Sequence, residues 1–189
     1  MACSFGDPQY FVEDDSYCEV DLPFQMKIYS SAASITWPST NGFISIGEGS
    51  IAFEPQQLPT DQLPANTICP YWDDLYKSEG TEQGIFYQFN AANTSITYEY
   101  YIGHAGYPTA DPVHFTVTYD SFMPGVFVYH YYGTGNGQTA DGVLASVGTQ
   151  GVDAAGAQQG AQFSFESAII TPGLIVTCDT NTNTCTSSF

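Results

Sequence analysis

Chemistry in this chain would have to come from its carboxylates, histidines and aromatic rings, because strong bases and nucleophile motifs are nearly absent. A glycosidase needs two carboxylates converging on the scissile bond, one acting as acid and the other as nucleophile or base. Glu99 and Glu166 each sit on the polar side of an alternating run, with no acidic partner nearby in sequence. Gly47-Glu48-Gly49-Ser50 is not the Gly-x-Ser-x-Gly elbow that presents a serine, and no Gly-x-x-x-x-Gly-Lys run cradles phosphate. The expectation is a protein without catalytic residues, with an acid-stable hydrolase as the enzymatic alternative.

Two acidic clusters, Glu13-Asp14-Asp15 and Asp73-Asp74, offer oxygen ligands suited to calcium, a hard cation that takes about six to eight of them. Asp73 and Asp74 are the candidate metal ligands. Their competing role is structural, as carboxylates that accept backbone N–H bonds in the turn after a strand. His104, in Gly103-His104-Ala105-Gly106, reads as exposed at a loop. His114 and His130 fall on the two arms of a hairpin. Pairing Tyr119 with Val126 sets Phe115 opposite His130 and His114 opposite Tyr131, which sends the two histidines to opposite faces and keeps them from sharing a metal.

That register also places Phe127, Tyr129 and Tyr131 on the outer side beside His114, Thr116 and Thr118, with Tyr101 and His104 as further candidate ligand-binding residues. Rings that stack on apolar surfaces, rimmed by hydroxyls and acids that fix orientation, are what a sugar-binding or protein-binding surface needs. The rival is that the strip lies under the other sheet or a loop.

The elements that position these residues are strands. Helical periodicity is nearly absent, and period-two alternation recurs in short runs bounded by Gly, Pro, Asn and Asp. In residues 94–102, Ile96, Tyr98, Tyr100 and Ile102 share one face, while Thr97, Glu99 and Tyr101 share the other. Val113, Phe115, Val117 and Tyr119 alternate with His114, Thr116, Thr118 and Asp120; a turn at 121–125 leads to the second arm, 126–132. Other strands are expected near 19–24, 26–29, 34–37, 42–46, 68–72, 84–89, 142–148 and 162–166. About ten short strands without crossover helices predict an all-β fold, a two-sheet antiparallel sandwich. The Pro-rich stretch 54–64 reads as a long connection over one end. Residues 133–137 read as a flexible loop, and 153–160 as a loop with room for a helical turn.

The chain has 189 residues, enough for one such domain and no more, with 177–189 expected as a Thr-rich, disulfide-closed tail. Twenty acids against Lys27 and Lys77 give a formal charge of −18. Nucleic-acid backbones and anionic membranes are bound by clustered Lys and Arg, so neither is an expected partner. No apolar run is long enough to span a membrane, and the first residues are not a leader; a secreted chain would have lost its signal peptide.

Five cysteines cannot all pair within one chain. Cys3 with Cys18 and Cys178 with Cys185 each close a short loop near a terminus. Cys69, inside Ile68-Cys69-Pro70-Tyr71-Trp72, reads as a buried free thiol, although other connectivities such as Cys18 with Cys178 stay open. Asn93-Thr94-Ser95 is an acceptor sequence for N-glycosylation between two strands.

The stretch from Asn41 to Leu75 carries a family resemblance. Asn41-Gly42-Phe43-Ile44-Ser45-Ile46-Gly47, then Leu58-Pro59, Leu63-Pro64-Ala65-Asn66 and Ile68-Cys69-Pro70-Tyr71-Trp72-Asp73-Asp74-Leu75, resembles the nidogen-like extracellular module, as does Gly84-Ile85-Phe86-Tyr87-Gln88-Phe89. With the acidic, Tyr- and Thr-rich composition, the chain looks most like the head of a fungal cell-wall adhesin-like protein. The resemblance implies an extracellular sandwich used in adhesion or matrix contact, Trp72 as a core anchor, and Asp73 and Asp74 holding the turn after it. It implies as partner a cell-surface glycan or extracellular protein, with self-association open. The functional alternatives are a carbohydrate-binding module and a structural wall protein that associates with itself.

Overall fold

The computed structural model describes residues 1–3, 13–106 and 112–189. Its strands are β1 (Glu13–Asp14), β2 (Val20–Ile28), β3 (Ser31–Pro38), β4 (Ile44–Ile46), β5 (Thr67–Trp72), β6 (Leu75–Lys77) and β7 (Gly84–Phe89), followed by β8 (Ser95–His104), β9 (Val113–Asp120), β10 (Val126–Thr134), β11 (Ser146–Val152), β12 (Gln158–Phe165), β13 (Ile175–Asp179) and β14 (Thr184–Ser188). They form two antiparallel sheets. One runs β1-β6-β8-β9-β10-β13-β14, with β7 paired to β8 beyond the end of β6; the other runs β12-β11-β5-β4-β3-β2. The fold is the two-sheet β-sandwich that the alternation predicts.

Differences from the expected elements have local causes. Strands β1 and β6 are only two and three residues long, too short to show a period. Residues 177–189, expected as a tail, form the second part of the β13–β14 hairpin, where Cys178 stands opposite Cys185. The stretch 153–160 holds no helix. Asp153 Oδ1 accepts the amides of Ala155 and Ala157, both at 2.9 Å, and this turn feeds directly into β12. Among the described residues the helical turn is a 3-10 segment at Gly137–Gly142.

The core between the sheets is built around tyrosine. Tyr98, Tyr100, Tyr119, Tyr129 and Tyr131, on three neighbouring strands of the first sheet, are all at most 1% exposed. Each hydroxyl crosses the core to the facing sheet. Tyr119 donates to the Gln25 carbonyl in β2 at 3.1 Å, Tyr98 meets the Thr36 hydroxyl in β3 at 2.6 Å, and Tyr100 donates to the Phe43 carbonyl beside β4 at 3.1 Å. Tyr131 donates to the Pro70 carbonyl in β5 at 2.6 Å and Tyr129 to the Gly148 carbonyl in β11 at 3.1 Å. A buried phenol needs a partner, and a ring of this size fills the gap between sheets while its tip reaches the opposite backbone. Pro70 and Gly148 both border the irregularity where β5 pairs with β11, a place that tolerates a residue without an N–H.

All six residues of β5 are buried because the connection 47–66 covers the outer face of its sheet. Phe43, Leu58, Leu63, Cys69 and Trp72 form a second small core beneath it. Glutamines tie this strap down: Leu58 N donates to Gln162 Oε1 at 2.6 Å, Thr60 N to Gln150 Oε1 at 2.8 Å, and Gln150 Nε2 to the Pro64 carbonyl at 3.0 Å. Trp72 is the expected anchor, its Nε1 donating to the Ala52 carbonyl at 3.0 Å. Gly42 lets strands approach here. At φ 75°, a Cβ on it would lie 1.9 Å from the Tyr71 carbonyl oxygen.

The disulfides are Cys3–Cys18 and Cys178–Cys185, and Cys69 is a fully buried free thiol. The first does more than close a loop. Cys3 N donates to the Ile85 carbonyl in one sheet and Cys18 N to the Pro38 carbonyl in the other, so the bond staples the two sheets along one edge.

Tyr131→Phe is expected to cost about 1–2 kcal/mol, because it strands the buried Pro70 carbonyl while keeping the ring. Tyr129→Ala should cost about 3–5 kcal/mol through the cavity it leaves. Urea melts of both variants check the order; a Tyr131→Phe variant as stable as the parent would mean that the hydroxyl contact adds nothing to packing.

Candidate functional site

The observed hairpin pairs Phe127 with Tyr119 and Tyr131 with Phe115, one residue away from the register expected from the sequence. The turn decides this. Asp120 accepts the Phe122 amide on its side chain at 2.9 Å and the Met123 amide on its carbonyl at 2.9 Å, so the five-residue loop closes between Asp120 and Val126. A one-residue slip inverts every side chain. Phe127, Tyr129 and Tyr131 therefore point into the core, each 0% exposed, and are not an outer strip. By the same inversion His130, opposite Thr116, shares the outer face with His114, correcting the expectation of opposite faces.

What occupies the outer face is a different set. Phe86, Glu99, Thr116 and His130 stand in one register row across β7, β8, β9 and β10. Tyr101 and His114 are opposite one another in the next row, with the rings edge-on at 5.5 Å. The β10 ladder shifts between Tyr131 and Gly133, which leaves Tyr132 on the outside, 47% exposed. Its ring lies against both histidines, at 4.9 Å from His114 and 4.3 Å from His130. Phe86 leans across Gly84, where a Cβ would meet its ring at 3.1 Å.

Between these rings lies a cleft of about 390 Å³, lined by Phe86, Gln88, Thr97, Glu99, His114 and Tyr132 among others. That volume falls in the range of small-ligand sites. At its centre His114 Nε2 and Glu99 Oε1 are 2.8 Å apart, with the two side chains 32% and 48% exposed. The pair can donate and accept hydrogen bonds side by side, the rings present apolar area, and Thr97 and Thr116 supply hydroxyls. Of the expected ligand-binding residues the structure thus keeps His114 and Tyr101 on this face. Tyr132, Phe86 and Gln88 went unselected, although the alternation of β7 already places Phe86 and Gln88 together.

The acidic clusters meet, but not as a pair of neighbours in sequence. Asp14, Asp15 and Asp74 bring carboxylate oxygens within 4.8 Å of one another and could hold a metal ion. Strand pairing of β1 with β6 creates this contact, setting Asp14 opposite Tyr76. Asn41, fully buried, fixes the loops around it: Nδ2 donates to Asp15 Oδ1 at 2.8 Å, Oδ1 accepts the Leu75 amide at 3.0 Å, and its carbonyl accepts the Asp73 amide at 3.2 Å. Burial, then the charges of Asp14, Asp15 and Asp73, push the Asp74 carboxyl up to about 6. Burial and Asp15 likewise raise Asp14.

Asp73 belongs to another arrangement. Its Oδ1 accepts the Asp74 amide at 2.8 Å, the structural role weighed for it, and its Oδ2 lies 3.2 Å from His104 Nε2. Both side chains of that pair are at most 5% exposed, so His104 is buried at the end of β8 and is not an exposed loop residue. The loop residue Gly135 packs over its ring, leaving 3.1 Å between Cε1 and the place a Cβ would take. Glu99 and Glu166 lie apart: Glu99 is on the outer face of one sheet, and Glu166 follows the edge strand β12 of the other. Asn93 is exposed in the β7–β8 turn at φ 54°, where Asn90 Oδ1 accepts the Thr94 amide at 2.8 Å.

No curated protein and no solved structure matches the chain. A family model described as NIDO related matches residues 6–188, nearly the whole length, and includes both sheets, the strap and the outer-face cleft. The chain belongs to this nidogen-related family.

Proposed function

We propose that the protein is an extracellular, non-catalytic binding head that mediates adhesion or matrix contact at a cell surface or wall. The observation that carries this reading is the outer-face cleft, where exposed Tyr132 and the Glu99–His114 pair lie together on a rigid four-strand platform. Sites built on strands hold their geometry better than sites on loops. Two disulfides fit an oxidising compartment, and membership of the nidogen-related family agrees with an extracellular place. A glycan at Asn93 would sit at the β7–β8 turn, at the end of the sheet.

The cluster of Asp14, Asp15 and Asp74 is read as a calcium site that fastens β1 to β6. Three carboxylates, of which Asn41 holds that of Asp15, repel one another, and a divalent cation relieves that repulsion. Water and carbonyl oxygens would complete the coordination.

Tyr132→Ala combined with Glu99→Gln should abolish attachment to the cells or matrix that the intact protein coats, with the melting temperature unchanged within about 2 °C, since both side chains are near half exposed. Unimpaired attachment would sink the cleft as the site.

Asp74 gives a pH expectation. Its carboxyl holds a proton more tightly folded than unfolded, so its contribution favours the fold at low pH and is lost as pH rises from about 4 through about 6. Without calcium, Asp74→Asn should melt higher than the parent at pH 7 and together with it below pH 4. Calcium should raise the parent's melting temperature at pH 7 and leave Asp74→Asn almost unmoved; identical calcium responses would dismiss the site.

A further inference from the structure

The chemistry lining the cleft narrows the class of ligand. The acidic and imidazole side chains described there are Glu99 and His114. Glu99 is engaged by His114 through one oxygen. Neither Lys27 nor Lys77 lines the cleft; Lys27 Nζ instead donates to Asn181 Oδ1 at 2.9 Å on another part of the surface. A polyanion finds no basic cluster here and meets a molecule of formal charge −18. Among the described residues a polycation finds a single carboxylate lining the cleft, already opposed by an imidazole, while the cluster of three acids lies elsewhere. The site is matched to a ligand without charge.

Shape points the same way. Large protein interfaces centre on a desolvated apolar anchor surrounded by some 800 Å² on each partner. On this face the large exposed ring is Tyr132, and around it stand Thr97, Thr116 and the Glu99–His114 pair, groups that hydrogen-bond to hydroxyls. The row Phe86, Glu99, Thr116 and His130 crosses four strands at one interstrand spacing, about 4.8 Å, per step. A pyranose ring is about as wide as one such step. A sugar chain laid across the strands would therefore repeat in near register with the row, one ring over each strand, its apolar faces against Phe86 and Tyr132 and its hydroxyls toward Glu99, Thr116 and His114.

We infer that the cleft takes a neutral hexose polysaccharide lying across β7 to β10, an assignment that rests on the reading of this cleft as the binding site. The test titrates the full chain, followed by amide NMR shifts, with glucose and mannose oligomers of increasing length. Glucosamine oligomers with free amines and galacturonate oligomers run in parallel. Shifts should gather at residues of β7 to β10 on addition of a neutral series, and affinity should climb with length until the oligomer spans the four strands. Tyr132→Ala should weaken that binding about tenfold, the order an aromatic contact contributes. Phe122→Ser, at the β9–β10 tip, should leave it unchanged.

If only the aminated or the acidic series shifts these residues, the neutral class is overturned while the binding face stands. Should no oligomer of any charge act there, although Tyr132→Ala with Glu99→Gln still abolishes cell attachment, the ligand is not a sugar and the inference falls alone. Intact attachment by that double variant removes the binding face and the inference with it.

Discussion

Five phenol hydroxyls hold the two sheets in register. Each of Tyr98, Tyr100, Tyr119, Tyr129 and Tyr131 must satisfy its O–H in a dry core, and among the described residues its partner is a group on the facing side. Leucine in these places would place no hydrogen bond on the facing sheet, whereas with tyrosine a shift of one residue strands five donors at once. Burial pushes the phenols of Tyr98, Tyr100, Tyr129 and Tyr131 well above their ordinary range, so they stay protonated donors. The make-up of the outer face follows from this constraint: with Tyr129 and Tyr131 fixed inward, alternation turns His130 and Tyr132 outward, beside His114.

Electrostatics divides the molecule in a different way. Twenty acids against two lysines leave little scope for pairing, and the charges are placed where chain geometry can tolerate them. Asp153 and Asp120 are used up in turn hydrogen bonds, and Asp73 faces His104 in the interior. Asp14, Asp15 and Asp74 are the exception, gathered by the β1–β6 pairing and Asn41 into one spot. The outer face of β7 to β10 carries hydroxyls, amides and rings around the Glu99–His114 pair, apart from that acidic spot.

Much of the sandwich was legible in the sequence because alternation is a local signal. The faces of β8 and β9 can be read directly from Ile96 to Ile102 and from Val113 to Tyr119, and the Cys3–Cys18 and Cys178–Cys185 pairs from their proximity to the ends. The register of β10 was not legible. It depends on Asp120 capping its own turn, a detail one residue wide that inverts Phe127, Tyr129 and Tyr131. His104 misled for a similar reason: glycine and alanine around it look like a loop, and the loop containing Gly135 that buries it is distant in sequence. The acidic site was half visible. Both clusters stand out as runs of Asp, yet which members meet is settled by the pairing of two very short strands, which carry no periodic signal.

The central claim is that Tyr98, Tyr100, Tyr129 and Tyr131, four of the five frame tyrosines, are interior, whereas Tyr132, on the same strand as Tyr129 and Tyr131, is exposed. Tyrosine nitration mapped by mass spectrometry on the folded protein separates these directly. The account expects prompt modification at Tyr132 and none at the four frame tyrosines until the chain unfolds. Early modification of Tyr129 or Tyr131 with Tyr132 protected would invert the register and contradict both the fold of the hairpin and the binding face proposed on it.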